Sequence, residues 1–206
     1  MSSMRGRLLV LEGIDGAGKS TQARLLEERL RSEGYSVVRA REPGGTRIGE
    51  RIRELLLDVR RTEMDARTEL FLYMASRAQL ATEVLEPMLR AGRIVLLDRY
   101  YFSTAAYQGA AGGVGIPEVL DLAERIARFP IPDRVVVLDL DPRIGIRRVR
   151  RPKDRMERKG LSYLKRVREA FRRIARSRRG RMALIPANRP VEIVAAKVFE
   201  AVANVL

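Results

Sequence analysis

Short runs of mainly apolar residues alternate along the chain with longer stretches in which apolar residues recur every three or four positions. The short runs predict strands buried on both faces of a sheet, and the longer stretches predict amphipathic helices. The predicted strands are Leu8–Leu11, Tyr35–Ala40, Arg93–Leu97, Val135–Leu140 and Met182–Pro186. Because strands and helices alternate throughout, we expect an α/β fold: a doubly wound, parallel, five-stranded sheet with helices on both faces and ligands at the carboxyl ends of the strands.

The predicted helices are marked by residues that start, bend or stop a helix. They begin near Thr21, Thr46, Ala66, Pro117, Asp141, Ser162 and Val191. Thr46 is a suitable N-cap, and Asp141-Pro142 has the order of an N-cap followed by a first-turn proline. Pro87 lies inside the pattern that starts at Ala66, so we expect a kink or a break near Glu86. Gly109–Gly115 is predicted to be a loop.

One glycine-rich segment joins the first strand to the first helix. We call residues 13–20 the phosphate loop. Together with Thr21, which follows it, the segment reads Gly13-Ile14-Asp15-Gly16-Ala17-Gly18-Lys19-Ser20-Thr21. Glycines allow backbone N–H groups to wrap a polyanion, and the following helix adds the positive end of its dipole. Lys19 is expected to reach the β- and γ-phosphates of a nucleoside triphosphate, and the Ser20 hydroxyl to coordinate its Mg²⁺. All nine residues are predicted to bind that nucleotide.

Cysteine and histidine are both absent from the 206 residues, which narrows the possible chemistry. Disulfides, thiolate zinc sites, thiol nucleophiles and Ser-His-Asp hydrolysis are excluded, so carboxylates, hydroxyls, lysine and arginine must act. No signal sequence is apparent at the N-terminus, and no uncharged apolar stretch approaches the roughly 20 residues of a membrane span. We therefore expect a cytoplasmic protein without a membrane partner.

The net charge of +15 comes from one segment, because residues 143–181 hold 18 basic and 3 acidic residues, while the remainder is balanced. A part of it, at about 147–161, is predicted to be a lid whose arginines close over a transferring phosphoryl group. The alternative is a nucleic-acid surface, but the aromatic residues that stack bases in such modules are scarce here. Without a repeat or a linker, residues 1–206 are predicted to form one domain that includes this lid.

Two predicted strands reach an aspartate at their ends, Asp98 and Asp139. Either carboxylate can hold Mg²⁺ through water, and we favour Asp98 because Arg99 beside it suits a site for both metal and phosphate. Arg53, Arg77 and Arg99 belong to three elements that should approach the phosphate loop, and each offers the fork that binds a phosphate at two oxygens. For any single one, solvated surface charge is the simpler explanation.

Taken together, the motifs resemble those of the thymidylate kinase family. They are the phosphate loop, Arg41-Glu-Pro-Gly-Gly45, Arg53, Tyr73-x-x-x-Arg77, Asp98-Arg-Tyr100, Ala106-Tyr-Gln-Gly109, Asp154-Arg-Met-Glu157 and Ala187-x-x-Pro190. The resemblance covers essentially the whole chain. It implies a P-loop kinase fold and Mg²⁺-dependent transfer of a phosphoryl group from ATP to dTMP, with dTDP and ADP as products.

The resemblance also assigns residues to dTMP. Tyr73 matches the aromatic residue that stacks on thymine, and Arg77 and Gln108 match contacts to the edge of the base. Tyr107 matches the residue that crowds the 2′ position of the ribose, which favours deoxyribose. Asp15 matches a carboxylate that reaches the sugar of the acceptor.

Further roles follow from the same resemblance. Arg53 and Arg99 match the clamp on the dTMP phosphate, and family members form homodimers. Some members carry a catalytic arginine where this chain has Gly16, and those without it supply one from the lid. The predicted catalytic set is therefore Lys19, Asp98, Asp15 and Arg155, with Arg150 and Arg151 as alternatives to Arg155.

Two other functions compete with this interpretation. The first is a nucleoside monophosphate kinase with a purine nucleotide or dUMP as its acceptor. The second is a P-loop ATPase that binds nucleic acid through the basic segment. Turnover of different monophosphates separates the first from a thymidylate kinase, and binding of DNA and RNA tests the second.

Overall fold

The computed structural model describes residues 6–150, 152 and 154–206, and its centre is a five-stranded parallel sheet. The strands are β1 (Arg7–Glu12), β2 (Val37–Arg41), β3 (Ile94–Asp98), β4 (Arg134–Asp139) and β5 (Met182–Pro186). Their spatial order is β2-β3-β1-β4-β5, with every neighbouring pair parallel. Strands β2 and β3 lie on one side of β1 and strands β4 and β5 on the other, so the doubly wound α/β fold that the pattern predicts is confirmed.

Helices cover the sheet and meet it at one hydrophobic core. They are α1 (Lys19–Ser32), α2 (Arg47–Leu57), α3 (Ala66–Leu80), α4 (Glu86–Arg90), α5 (Tyr101–Thr104), α6 (Ile116–Asp121), α7 (Pro142–Arg148), α8 (Gly160–Ser177) and α9 (Val191–Ala203). The side chains of Thr46 and Asp141 accept hydrogen bonds from the first turns of α2 and α7, so both predicted caps are confirmed. In the described part of the chain, no helix combines the length and apolar character needed to cross a membrane.

The central strands are apolar because helices pack on both of their faces. Residues Val135 to Leu138 of β4 are each 1% exposed, which explains their continuous rather than alternating pattern. The register pairs Leu11 of β1 with Asp98 of β3. The phosphate loop after β1 and the acidic end of β3 therefore lie next to each other at the carboxyl edge of the sheet.

Pro87 perturbs a helix without ending it. The chain remains helical from α3 to α4, but Ala81–Leu85 between them is π-helical. A wider turn next to a proline fits its missing backbone donor, since one standard helical hydrogen bond is lost there. The expected kink therefore takes the form of a π-helical segment.

The predicted loop Gly109–Gly115 was partly wrong. After α5 the chain continues as a π-helical segment, Ala105–Ala111, which contains Gly109. A Cβ at Gly109 would lie 2.8 Å from the carbonyl oxygen of Gly115, so this glycine serves close packing rather than a turn. The helix brings Tyr107 and Gln108 inward. Among the strands, β2 begins two residues later than the pattern suggested.

Candidate active site

The phosphate loop joins the end of β1 to α1, which begins at Lys19. Gly13 and Gly18 have φ angles of 138° and 94°, in a region that favours glycine. The Lys19 side chain turns back so that its Nζ donates to the carbonyl oxygen of Ile14 over 3.0 Å. Burial, followed by the nearby Arg99 cation, lowers the pKa of Lys19. The loop thus combines a buried amine with a helix N-terminus, an arrangement suited to phosphate.

Gly16 cannot carry a side chain in this packing. Its φ angle is 78°, and a Cβ there would lie 2.4 Å from the carbonyl oxygen of Gly145 in α7. Gly145 is restricted in turn, because its own Cβ would lie 2.5 Å from the carbonyl oxygen of Asp15. The close approach of the loop to α7 therefore excludes an arginine at position 16.

Asp98 and Asp139 have different partners. The Ser20 hydroxyl donates to Oδ2 of Asp98 over 2.7 Å, which brings together the two residues predicted to hold Mg²⁺. Asp139 is instead bound by Arg168 of α8, through bonds of 2.6 and 2.9 Å to its two oxygens. Asp139 therefore anchors a helix, whereas Asp98 lies beside the phosphate loop.

Arg99 links the end of β3 to the phosphate loop. Its guanidinium donates to Oδ1 of Asp15 over 2.7 Å, to the carbonyl oxygen of Gly13 over 2.9 Å and to the Ser103 hydroxyl over 3.0 Å. The backbone of Arg99 has φ = 69°, which is uncommon for a residue with a side chain. Such conformations cluster at functional sites, where the surrounding contacts hold them.

A cavity of about 270 Å³, which we call the main cavity because most of the predicted site residues line it, opens beside the phosphate loop. Six of the seven residues predicted to bind dTMP line it together with Lys19, Ser20 and Asp98: they are Asp15, Arg53, Tyr73, Arg99, Tyr107 and Gln108. Arg53 donates to the carbonyl oxygen of Pro43 over 2.9 Å. Burial raises the pKa of both Tyr73 and Tyr107, so their hydroxyl groups stay neutral at physiological pH.

Arg77, the seventh predicted contact, does not line this cavity. It is 1% exposed, and it bonds to the Glu42 carboxylate at 2.6 Å and to the Thr104 hydroxyl at 3.1 Å. Glu42 and Thr104 do line the cavity, so Arg77 supports its wall from behind. Burial raises the pKa of Glu42 to about 7, although Arg77 opposes that shift.

Arg155, the lid arginine of the predicted catalytic set, lines neither the main cavity nor the surface beside the phosphate loop. Arg155 is 7% exposed, and it donates to Glu69 of α3 over 2.6 Å and to the carbonyl oxygen of Leu56 over 2.9 Å. Its guanidinium is therefore paired with a buried carboxylate that is 86 positions away in the sequence. Arg150 instead lines a second cavity, which we call the loop groove, together with Gly16, Gly18 and Thr21 of the phosphate loop region. Arg151 lies outside the described residues.

Sequence reasoning missed two buried glutamates near the site. Glu12, at the end of β1, accepts from the backbone N–H groups of Tyr100 and Ser103 and so caps α5, which has no cap of its own. Glu69 is 0% exposed and accepts from the lid and from Gln108. The spacing of Glu69 four residues before Tyr73 was a usable signal, since both must face one side of α3.

Comparisons with known proteins agree on one family. The family model described as thymidylate kinase matches residues 11–198. The thymidylate kinase of Geobacillus sp. (strain WCH70) is 42% identical over 203 residues, which are 97% of each chain. That of Deinococcus radiodurans is 42% identical over 202 residues, covering 97% of this chain and 98% of the relative. The crystal structure of the thymidylate kinase from Ehrlichia chaffeensis superimposes with a TM-score of 0.77 at 31% identity, over 95% of this chain and 98% of that one. The chain belongs to the thymidylate kinase family.

Proposed function

We propose that the protein transfers the γ-phosphoryl group of ATP to the phosphate of dTMP, with ADP and dTDP as products. One observation carries this proposal: the main cavity and the loop groove meet at Asp15, Lys19 and Ser20, which line both. A donor on the phosphate loop and an acceptor in the main cavity would therefore face each other across these residues. Phosphoryl transfer requires such alignment of two nucleotides more than it requires covalent chemistry by the protein.

The donor half of the site would hold the triphosphate of ATP. The backbone of the phosphate loop and the first turn of α1 supply N–H donors, and Lys19 supplies a cation for the β- and γ-phosphates. On binding, Nζ of Lys19 would exchange its bond to Ile14 for phosphate oxygens. The paired oxygens of Ser20 and Asp98 suit Mg²⁺, which accompanies ATP and neutralises phosphate charge. No group of three or more carboxylates in the described residues could form a metal cage, which fits an ion bound mainly by phosphates.

The acceptor half would hold dTMP in the main cavity. Arg53 and Arg99 supply forks for its phosphate, and Asp15 keeps Arg99 oriented. Tyr73 offers a ring for stacking on the base, Gln108 offers an amide to its edge, and Tyr107 limits space at the sugar. Arg77 would act on the base edge mainly by shaping the wall formed by Glu42 and Thr104.

Of the two candidate lid arginines, Arg150 rather than Arg155 lines the loop groove. Arg150 lines the loop groove beside the phosphate loop, where charge spreads over the phosphoryl oxygens during transfer. The lid segment at about 147–161 would thus contribute in two ways: its first part supplies Arg150, and its second part packs against α2 and α3 through Arg155. Water would be excluded from the donor when this segment covers the site.

A substrate panel tests the proposed function. We expect turnover with ATP and Mg²⁺ to be fastest with dTMP, slower with dUMP and much slower with dCMP and AMP, measured as kcat/KM. Activity on dTMP no better than on AMP would favour a different nucleoside monophosphate kinase. Tight, ATP-dependent binding of DNA or RNA at physiological salt would favour the nucleic-acid ATPase, whereas we expect weak, salt-sensitive binding.

We further propose that the protein works in the cytoplasm as a homodimer, as its family resemblance implies. Phe71 of α3 is 62% exposed, and Ile126 in the π-helical segment Leu122–Ile126 is 68% exposed. Large exposed apolar side chains are common at interfaces between subunits. Light scattering after size-exclusion chromatography should give a mass close to twice 23.4 kDa, and a monomeric mass at micromolar concentration would contradict this proposal.

A further inference from the structure

Glu69 is a buried carboxylate that joins three parts of the chain. It lies on α3 and is 0% exposed. Its Oε1 accepts from Arg155 and from Lys159, each over 2.6 Å, and its Oε2 accepts from Nε2 of Gln108 over 2.9 Å. Two cations beside one carboxylate offset the cost of burying it. Glu69 therefore connects the lid to the helical segment that carries Gln108.

This contact fixes the orientation of the Gln108 amide. A glutamine side chain has a donor end and an acceptor end, whereas Glu69 accepts hydrogen bonds at both of its oxygens. Nε2 of Gln108 must therefore face Glu69, because turning the amide would place two oxygen atoms against each other. Gln108 is 1% exposed and lines the main cavity, so with Nε2 on Glu69 its oxygen, Oε1, remains to accept from a ligand there.

We propose that Glu69 is a positioning residue for base specificity, which fixes Gln108 with its acceptor oxygen toward the base while Arg155 and Lys159 hold the carboxylate in place. The inference rests on the proposed function, since it concerns the base of the acceptor nucleotide. Thymine and uracil carry a hydrogen on N3 that an oxygen can accept. Cytosine has a lone pair at N3, which an oxygen repels, so a fixed Oε1 selects against it.

Replacement of the carboxylate by an amide removes this constraint. In Glu69→Gln the oxygen of the new side chain would stay on Arg155 and Lys159, so its amide nitrogen would donate to Oε1 of Gln108 and reverse the Gln108 amide. Nε2 of Gln108 then faces the main cavity and can donate to the lone pair at N3 of cytosine. We expect kcat/KM for dTMP relative to dCMP to fall by at least about tenfold, with part of the change coming from faster reaction of dCMP.

Arg155→Met is the matched control, because it removes a lid contact and leaves the bond between Glu69 and Gln108 intact. We expect it to raise KM for dTMP and dCMP together and to change their specificity ratio by less than about twofold. A loss of the ratio as large as that of Glu69→Gln would overturn the assignment to the carboxylate. If Glu69→Gln does not fold, Glu69→Gln combined with Arg155→Met keeps the net charge of the cluster, and the same drop in the ratio is expected.

These measurements distinguish failure of the proposed function from failure of the proposed role of Glu69. A wild-type enzyme that does not prefer dTMP over dCMP contradicts the proposed function itself. A wild-type enzyme with that preference, together with a folded Glu69→Gln enzyme that keeps it, overturns the role of Glu69 alone. A mere structural role for Glu69 would lower the activity on both nucleotides equally, so only a change in their ratio supports the inference.

Discussion

Arg99 donates a hydrogen bond of 2.7 Å to the carboxylate of Asp15, which connects the end of β3 to the phosphate loop. The pair is mostly buried, with side chains 16% and 27% exposed. Asp15 is thus a phosphate-loop residue that lines the main cavity, although the phosphate-binding motif leaves its identity open. It places a guanidinium where the acceptor phosphate is expected, before that phosphate arrives.

Removal of the Asp15 carboxylate should loosen this arrangement. We expect Asp15→Ala to raise KM for dTMP by about tenfold, since a hydrogen bond between charged groups contributes about 1–3 kcal/mol, with a smaller change in KM for ATP. Ser103→Ala removes another partner of Arg99 and should have a weaker effect. Steady-state kinetics with each substrate varied would reveal the difference, and an unchanged KM for dTMP in Asp15→Ala would contradict it.

Lys19→Met should nearly abolish transfer. Methionine keeps the length and burial of the side chain but removes the cation, so the enzyme should fold while kcat falls by at least about a hundredfold. Circular dichroism and the melting temperature provide the check on folding. A variant with normal stability and more than one tenth of the wild-type kcat would show that Lys19 does not act on the transferring phosphoryl group.

Asp98→Asn and Asp139→Asn form a matched pair, because each aspartate ends a strand of the same sheet. We expect Asp98→Asn to lower kcat by about tenfold or more and to raise the Mg²⁺ concentration needed for activity. Asp139→Asn should leave kinetics unchanged and lower the free energy of unfolding by about 1–2 kcal/mol, since it weakens the anchor on Arg168. A loss of activity in Asp139→Asn together with normal kinetics in Asp98→Asn would assign the metal site to Asp139 instead.

The fold and the phosphate loop were predictable from the sequence because their signals are local. Apolar runs, caps and glycine spacing act within a few residues, and so Asp141 and Thr46 were placed correctly. The helix around Gly109 was missed because a glycine selected for packing against Gly115 has the same local appearance as a turn glycine. Local pattern does not distinguish these two uses.

Pairing between charged residues was the least predictable part of the site. Arg155 and Glu69 are 86 positions apart, and Arg77 and Glu42 are 35 apart. In a segment with many arginines, sequence alone cannot show which guanidinium meets a buried carboxylate and which remains for phosphate. Which arginine pairs with a buried carboxylate depends on how the lid packs against α2 and α3, and this packing is a property of the assembled fold.

Arg150→Ala should therefore affect the rate of transfer, whereas Arg155→Ala should affect stability and dTMP binding. Arg150→Ala is expected to lower kcat by about a hundredfold with little change in the affinity for dTMP, since its charge would act in the transition state. Arg155→Ala leaves Glu69 with one cation fewer and should lower the melting temperature and weaken dTMP binding. Single-turnover rates together with equilibrium binding of dTMP separate the two effects. A loss of rate at unchanged stability in Arg155→Ala alone would restore Arg155 as the catalytic arginine.

Glu42 should make the stability of the protein depend on pH. Burial raises its pKa to about 7 in the folded state, from an ordinary value of 4.5. Between these two values the unfolded chain releases its proton first, so the contribution of Glu42 to stability is complete below about pH 4.5 and is lost as the pH rises through 7. The loss amounts to about 3 kcal/mol in total, at about 1 kcal/mol or slightly more per pH unit.

Glu42→Gln isolates this contribution, because glutamine does not titrate and all other groups are shared with the wild type. We expect the free energy of unfolding of the wild type minus that of Glu42→Gln to decrease steadily from pH 5 to pH 7 and then to level off. Urea denaturation at intervals of half a pH unit would measure it. A difference that stays constant from pH 5 upward would mean that Arg77 holds Glu42 ionised at 2.6 Å throughout this range, and that the ion pair outweighs the cost of burial.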